Sequence, residues 1–223
     1  MTQHIFDPEI LPVDSIAGEA ALLPERLRPD WLRTRFGEPP VWHPEITQEQ
    51  LMRKLGATPV SAAVLVPIVM RDAGPTLLFT QRTAHLSDHA GQVSFPGGRS
   101  ESSDLSAVET ALRETEEEVG LARQYVEVIG SLPDYFTGTG YRITPVVGMA
   151  QPPFPLRPDP HEVAEIFEVP LDFLMNGMNH QRRSADLPNG FGRRTFYAMP
   201  YQRFFIWGAT AGILRNLFHF LRA

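Results

Sequence analysis

The sequence has no cysteine among its 223 residues, which excludes disulfide bonds and metal sites built from thiolates. Basic residues are also in the minority, with 20 Lys and Arg against 26 Asp and Glu and a net charge of −6. That balance argues against a general grip on the phosphates of nucleic acids. It does not exclude a small anionic substrate, because a bound divalent cation reverses the local electric field.

Long apolar runs are missing as well. The longest, residues 62–70, is far too short to cross a bilayer. The first ten residues lack the basic region and apolar run of a secretory signal. The sequence therefore predicts a soluble, cytoplasmic protein with no membrane or nucleic-acid partner.

Residues 1–56 are rich in proline and charge, and they carry no catalytic pattern. A short helical patch is expected at 48–55. We interpret this segment as an N-terminal arm that packs on the main domain or on a second copy of the chain, so a homodimer is one of the two arrangements expected. Residues 57–223 are long enough to form the domain that carries the chemistry.

The apolar pattern of residues 57–223 predicts strands that alternate with helices. The predicted strands are 60–70, 76–81, 92–95, 125–129, 143–149, 163–169 and 194–198, and the predicted helices end at Val119 and span 209–221. Turn residues at 72–75 join the first two strands as a hairpin, and Pro96 stops the third. Strands mixed with helices predict an α/β or α+β domain with a helix-covered sheet.

Three acidic residues near the end of the central helix are the most informative feature. Glu114, Glu117 and Glu118 are spaced i, i+3 and i+4, so their carboxylates share one helix face. Carboxylates at a helix C-terminus oppose the macrodipole by roughly 0.3–1 kcal/mol each. A hard divalent cation removes that penalty. An isolated cluster of this kind is more often a solvated acidic face, so the flanking residues decide the interpretation.

The flanking residues form a longer pattern. Gly97-Gly98 is followed by a polar loop, then by Arg113-Glu114 and Glu117-Glu118-Val119-Gly120-Leu121. This pattern resembles the Nudix box. Thr115 replaces the usual aliphatic residue. Asp104 stands where a glutamate is usual, with one additional residue before Arg113.

A second resemblance is to the coenzyme A pyrophosphatase branch of that superfamily. It rests on residues 77–82, on His85, Leu86 and His89, and above all on residues 91–98, which read Gly-Gln-Val-Ser-Phe-Pro-Gly-Gly. The one-residue-longer loop is usual in that branch. The resemblance implies an α/β/α sandwich around a mixed β-sheet. It also implies hydrolysis of the pyrophosphate bond of coenzyme A or acyl-CoA to 3′,5′-ADP and (acyl-)4′-phosphopantetheine.

The resemblance also implies roles for individual residues. Glu114, Glu117 and Glu118, with the carbonyl of Gly98, would bind Mg²⁺ or Mn²⁺ as metal cofactor. Arg113 would orient Glu117, and the general base would be Glu117, Glu118 or Glu162. The implied substrate-binding residues, for a small CoA-like nucleotide, are Arg82, His89, Gln92, Gly97 and Gly98.

Several alternatives stay open from the sequence. The substrate is alternatively ADP-ribose or another nucleoside diphosphate derivative, or the chain is a non-catalytic Nudix-like binding module. An acidic helix that serves as a protein-interaction face is a third alternative. Arg82 in a structural ion pair and His89 as a loop histidine compete with roles in binding. Four arginines either contact the 3′-phosphate of the substrate or belong to an exposed hairpin: Arg182, Arg183, Arg193 and Arg194. For Trp207, core packing is favoured over stacking on adenine.

Overall fold

A computed structural model of the protein describes residues 6–45, 58–85, 90–187 and 192–223. Its strands are β1 (Val13–Ile16), β2 (Val60–Arg71), β3 (Gly74–Arg82), β4 (Val93–Ser94), β5 (Gly97–Arg99), β6 (Val126–Ser131), β7 (Tyr135–Phe136), β8 (Tyr141–Ala150), β9 (Val163–Pro170), β10 (Gln181–Asp186), β11 (Arg193–Tyr201) and β12 (Phe204–Trp207). Its α-helices are α1 (Pro29–Gly37), α2 (Ala107–Val119), α3 (Leu171–Leu174) and α4 (Gly208–Arg222). The predicted helical patch at 48–55 and the candidate His89 lie outside the described residues.

The larger sheet is mixed and has the strand order β4-β3-β2-β8-β6, with β5 on β2, β7 on β8 and β9 on β3. Strand β2 runs parallel to β8 over the whole length of β8, from Val60 opposite Tyr141 to Val69 opposite Ala150. The predicted hairpin is confirmed, because β2 and β3 pair antiparallel around a tight turn.

Side chains of β2 alternate between the two faces of this sheet, and helices cover both faces. Leu65 packs with Leu112 of α2 on one face, whereas Val66 joins the main core with Leu32 of α1 and Leu217 of α4 on the other. Each of these five leucine or valine side chains is at most 8% exposed, and full burial of one stabilises the fold by about 1.5–3 kcal/mol. The predicted α/β/α sandwich around a mixed β-sheet is therefore confirmed.

A second, four-stranded sheet has the order β1-β10-β11-β12, and only its β11 was predicted. Strand β1 has no buried residue, so the apolar alternation that marks a strand is absent there. The predicted stop of the third strand at Pro96-Gly97-Gly98 is confirmed, since β4 ends at Ser94. Gly97 and Gly98 then lie in a separate strand, β5, which was not predicted and which pairs with β2. Their backbone pairs with β2 although the residues carry no side-chain pattern.

Two buried arginines bind the N-terminal segment to the rest of the chain. Arg183 is 8% exposed, and its Nη1 donates to the carbonyls of Pro8, Glu9 and Leu11 at 3.3, 2.8 and 2.9 Å. An exposed hairpin arginine was therefore the wrong expectation at this position. Arg215 of α4 is 3% exposed and donates to Glu19 and Glu45, which lie on either side of α1.

Trp207 lies in the interior, as predicted. It is 8% exposed and packs edge-on against Phe6 and Phe196. No helix in the described ranges is long and apolar enough to span a membrane.

Candidate active site

Helix α2 ends where the glutamates stand. Ser106 caps its first turn by accepting a hydrogen bond from the amide of Glu109, and Gly120 ends it with a φ of 70°, a conformation that favours glycine. The segment before β9 then covers the carbonyl end of the helix. The amide of Arg157 donates to Val119 at 2.8 Å, and the amide of Asp159 donates to Glu118 at 2.9 Å.

Glu118 is the most buried acid of the cluster, at 5% exposed. Its Oε2 accepts a hydrogen bond from the amide of Gly97 at 3.1 Å, and its Oε1 lies 3.9 Å from a guanidinium nitrogen of Arg82. Burial is the main cause that raises the pKa of Glu118 to about 8. The hydrogen bond from Gly97 and the charge of Arg82 lower this pKa, and the charges of Glu162 and Glu114 raise it by smaller amounts. The site thus brings several carboxylates close together, with Arg82 and Arg113 as the neighbouring cations.

Glu114 lies against the glycine-rich strand β5. A methyl group added at Gly98 would stand 2.5 Å from the carboxylate carbon of Glu114, so only glycine allows this approach. Burial raises the pKa of the Glu114 carboxyl, and Arg113 opposes that rise. Glu114 is thus the second acid of α2 that lies against β5, as Glu118 does.

Glu117 behaves differently from the other two glutamates. Its side chain is 60% exposed, and its Oε2 lies 3.1 Å from Nη1 of Arg113. The same nitrogen lies 3.1 Å from Oε1 of Glu114. One guanidinium therefore connects the two carboxylates, and the contact between Arg113 and Glu117 that the sequence predicts is present.

Asp104 fixes Arg113 from the other side. Its two oxygens accept from Nε and Nη2 of Arg113 at 2.9 and 3.0 Å, while the amide of Glu101 and the hydroxyl of Thr110 also donate to it. The bonds from Arg113 hold the pKa of Asp104 well below its usual range. Asp104 therefore acts through Arg113, and the longer loop brings its carboxylate to the guanidinium in a paired, planar contact.

Arg82 lies at the point where β3, the glycine-rich segment and α2 meet. Its amide donates to the carbonyl of Gln92 at 2.9 Å, and its guanidinium faces Glu118. The Nε–H of Arg82 is buried and has no hydrogen-bond partner within the part of the chain that the structure describes. A buried donor without an acceptor costs about 1–3 kcal/mol, which is a reason to expect an anionic ligand there.

Glu162 stands on the loop before β9, near the carboxylates of Glu114 and Glu118. Its charge acts on both Glu114 and Glu118, so the loop brings a fourth acid to the cluster. The carbonyl of Glu162 accepts from the amide of Thr83 at 2.9 Å, and the hydroxyl of Thr83 donates to the carbonyl of His161 at 3.1 Å. Thr83 was not singled out from the sequence, because backbone partners leave no motif.

A model of the NUDIX domain matches residues 59–186, which is more than half of the chain. The chain belongs to the Nudix family. The resemblance of its motifs to that family is thereby confirmed.

Curated relatives of the chain carry the same family name. The uncharacterized Nudix hydrolase NudL of Escherichia coli K12 is 44% identical over 175 residues, which cover 78% of this chain and 86% of that protein. The protein with that name in Salmonella heidelberg SL476 is 42% identical over 193 residues, which cover 86% and 94%.

Solved structures similar to the chain include a C. elegans Ap4A hydrolase binary complex, at 19% identity and a TM-score of 0.44 over 52% of this chain and 85% of that one. A Nudix hydrolase from M. smegmatis, RenU, is 24% identical with a TM-score of 0.44 over 51% and 71%.

Nudix hydrolases generally use divalent metal ions, and the donor set described above fits one. Glu114, Glu117 and Glu118 offer the carboxylate oxygens that hard cations prefer, and the charges of Glu114 and Glu162 both act on Glu118. Within the described ranges, no three acidic or histidine side chains already stand close enough to share an ion. The chemistry of the Nudix site therefore suits a cation, and at least one carboxylate must turn to bind it.

The one departure within the Nudix helix has a simple explanation in the packing. Thr115, at the usually aliphatic position, is fully buried, and its hydroxyl donates to the carbonyl of Ala111 at 2.6 Å. The hydroxyl is satisfied within the helix itself, so its methyl group can face the core as an aliphatic side chain would.

Proposed function

We propose that the protein is a metal-dependent pyrophosphohydrolase that splits coenzyme A or acyl-CoA into 3′,5′-ADP and (acyl-)4′-phosphopantetheine. The observation that carries this proposal is the contact between the glycine-rich segment and the acidic helix. The amide of Gly97 donates to Glu118 at 3.1 Å, and Gly98 leaves room for the carboxylate of Glu114. The contact of this segment with two of the proposed metal ligands supports a joint role in binding a diphosphate and its cation.

We assign Glu114, Glu117 and Glu118, with the carbonyl of Gly98, as ligands of Mg²⁺ or Mn²⁺. When bound, the cation neutralises phosphate charge and lowers the pKa of a coordinated water. Arg113 orients Glu114 and Glu117 and does not itself touch the substrate. The contacts of Arg113 support this assignment, because its guanidinium donates to Asp104 and to these two glutamates.

We assign Glu162 as the general base that takes a proton from the attacking water. Its residue is exposed, and its carboxylate has no hydrogen bond to another described residue, so it is free to accept that proton. Its charge already acts on Glu114 and Glu118. Glu117 and Glu118 remain the alternatives that the sequence left open, but both are assigned to the cation.

Arg82 and Gln92, with His89, are assigned to substrate binding. The buried and unpartnered Nε–H of Arg82 suits a phosphate oxygen, because charge-assisted hydrogen bonds to phosphate are strong. Gly97 and Gly98 let the backbone approach the diphosphate closely.

The preference for coenzyme A over ADP-ribose rests on the motif of residues 91–98. A turnover assay should therefore compare CoA, an acyl-CoA and ADP-ribose, each with Mg²⁺, with Mn²⁺ and with EDTA. We expect metal-dependent release of 3′,5′-ADP from CoA. Turnover of ADP-ribose without turnover of CoA would assign the alternative substrate instead. A cytoplasmic location and a homodimer stay predictions.

The first testable prediction concerns Glu118. Glu118→Gln removes one charged ligand from the proposed site, and we expect kcat on CoA to fall at least about 100-fold, the size of loss typical when a charge-stabilising group is removed. Glu116→Gln is the matched control, because Glu116 lies on the same helix but pairs with Arg123. Both variants should stay folded by circular dichroism. Wild-type turnover in Glu118→Gln would reject the proposed site.

A further inference from the structure

Main-chain hydrogen bonds hold most of the loop that carries Glu162, together with a bond from the amide of His161 to the carboxylate of Asp159. The carbonyl of Asp159 accepts from the amides of Glu162 and Val163 at 3.1 and 2.8 Å, and the amide of Asp159 donates to Glu118 of helix α2 at 2.9 Å. The carboxylate of Glu162 makes no hydrogen bond to a described residue. Its position is therefore decided by the backbone that supports it.

Thr83 connects this loop to the strand on its other side. The residue directly follows β3 and is 6% exposed. Its amide donates to the carbonyl of Glu162 at 2.9 Å, and its hydroxyl donates to the carbonyl of His161 at 3.1 Å. One residue thus binds two neighbouring carbonyls of the loop. These two bonds restrain the position and the orientation of the backbone just before Val163.

The neighbour of Thr83 makes this connection relevant to the pocket. Arg82 lies 3.9 Å from Glu118 and pairs with Val163, next to an irregularity in the register between β3 and β9. The end of β3 therefore touches the acidic helix through Arg82 and the Glu162 loop through Thr83. A shift of the loop relative to β3 changes the distance between Glu162 and Glu118.

We propose that the hydroxyl of Thr83 is a positioning group that sets the place of the Glu162 carboxylate against Glu118. The proposal rests on the proposed function, in which Glu162 is the base. Thr83 touches neither substrate nor cation, and it acts through the carbonyl of His161. An error of about 1 Å in the place of a catalytic group can lower a rate roughly 100-fold, so loss of one support bond should have a measurable effect.

The test compares Thr83→Val with Thr83→Ser in the full chain. Valine keeps the shape and loses the hydroxyl, and we expect kcat on CoA with Mg²⁺ to fall about tenfold with KM changed less than about twofold. Serine keeps the hydroxyl, and it should restore kcat. Thr76→Val is the matched control on the same strand, because it loses a hydroxyl bond to Glu168 on a part of the sheet away from the loop.

A double variant separates positioning from general damage. In the Glu162→Gln background, Thr83→Val should cause no further loss, because the group that it positions is already gone. An equal loss in both backgrounds would overturn the proposal, and so would wild-type kcat in Thr83→Val. Wild-type kcat in Glu162→Gln would show that Glu162 is not the base, and the positioning role of Thr83 would then be overturned too. The Glu118→Gln variant would still test the metal site.

Hydrogen exchange gives a readout that does not depend on turnover. The amides of Glu162 and Val163 should exchange at least about tenfold faster in Thr83→Val than in Thr76→Val. Unchanged exchange would overturn the proposal even if kcat fell. If the wild type hydrolysed none of the diphosphates, the proposed function would fail, and the exchange rates would still decide whether Thr83 holds the loop.

Discussion

Two adjacent glycines in the candidate active site lack a side chain for different reasons. Gly97 has a φ of 152°, and a methyl group there would stand 2.5 Å from the Cα of Val64. Gly98 has no unusual φ, and its methyl group would meet only the carboxylate of Glu114. The first clash is with backbone that cannot move, whereas the second is with the end of a flexible side chain.

The two alanine variants should therefore separate stability from activity. Gly97→Ala should lower the free energy of unfolding by more than about 2 kcal/mol, because strain and overpacking add. Gly98→Ala should fold nearly as well as the wild type, and it should lower kcat at least about tenfold because the Glu114 carboxylate is displaced. Urea unfolding and turnover on CoA, measured on both variants, check the pair. Equal loss of stability in both would contradict this account.

At the scale of single residues, the sequence predicts which residues belong to the candidate site but not which contacts they make. The Nudix motif points to Glu114, Glu117 and Glu118, but it does not reveal that Glu118 is buried while most of the Glu117 side chain is exposed. That difference depends on contacts with β5, which has no side-chain pattern, and with the loop before β9, which is distant from the helix in sequence. Asp104 was recognised as a departure, and only its contact with Arg113 explains it.

At the scale of the element, α2 carries its acids at the end where its dipole disfavours them. The compensation lies at both ends of the helix. The amides of Arg157 and Asp159 satisfy the last carbonyls, and Ser106 satisfies an amide of the first turn. The helix can therefore keep Glu117 and Glu118 in its final turn.

Ser106→Ala tests the contribution of that cap. Loss of an N-cap hydroxyl should lower the free energy of unfolding by about 1 kcal/mol, with kcat changed less than about twofold. Ser102→Ala is the control, because Ser102 is exposed in the turn before the helix. Thermal and urea unfolding of the two variants provide the measurement. A control as destabilised as Ser106→Ala would show that the cap has no special role.

The elements differ in how far they could be predicted. Helix α2 and the strands β2, β3, β8 and β9 follow from apolar patterns and from turn residues. Strands β1 and β5 do not, because neither alternates buried and exposed side chains. They form because a neighbouring strand offers unpaired backbone groups, which is information about the tertiary structure and not about the local sequence.

At the scale of the whole molecule, a buried polar cluster joins the N-terminal segment to α4. Burial raises the pKa of Glu45, but hydrogen bonds from His219 and Tyr197 and the charge of Arg215 outweigh it and lower that pKa to about 2. Hydrogen bonds from Arg215 lower the pKa of Glu19 to about 2. Burial lowers the pKa of His180, which contacts Arg215, to about 4.

All three shifts make the fold sensitive to acid. For the two glutamates, the folded pKa of about 2 lies below the ordinary 4.5, so their stabilisation is present above 4.5 and is lost as pH falls towards 2. For His180, the unfolded chain takes up a proton near 6.5 and the folded chain only near 4, so stability falls over that interval. The stability that these three groups contribute should therefore decrease from about pH 7 to about pH 3, whereas the raised pKa of Glu118 acts in the opposite direction between about pH 8 and 4.5.

Glu45→Gln should remove part of that dependence. Near pH 7 it should cost about 2 kcal/mol, because Arg215 loses a buried partner, and near pH 3 the difference from the wild type should shrink. Glu25→Gln is the control, since Glu25 is an exposed acid of the same segment. Urea unfolding across this pH range measures the effect. A constant difference at all pH values would contradict the assigned cause.

The contacts of Arg183 and Arg215 also bear on where this protein can be cut. The family match ends at residue 186, yet Arg183 depends on carbonyls at residues 8–11 and the core depends on α4. A fragment limited to 59–186 would lose the three carbonyls that accept from Nη1 of Arg183. It would also open a face of the sheet to water. The stretch by which the family is recognised is thus smaller than the unit that folds.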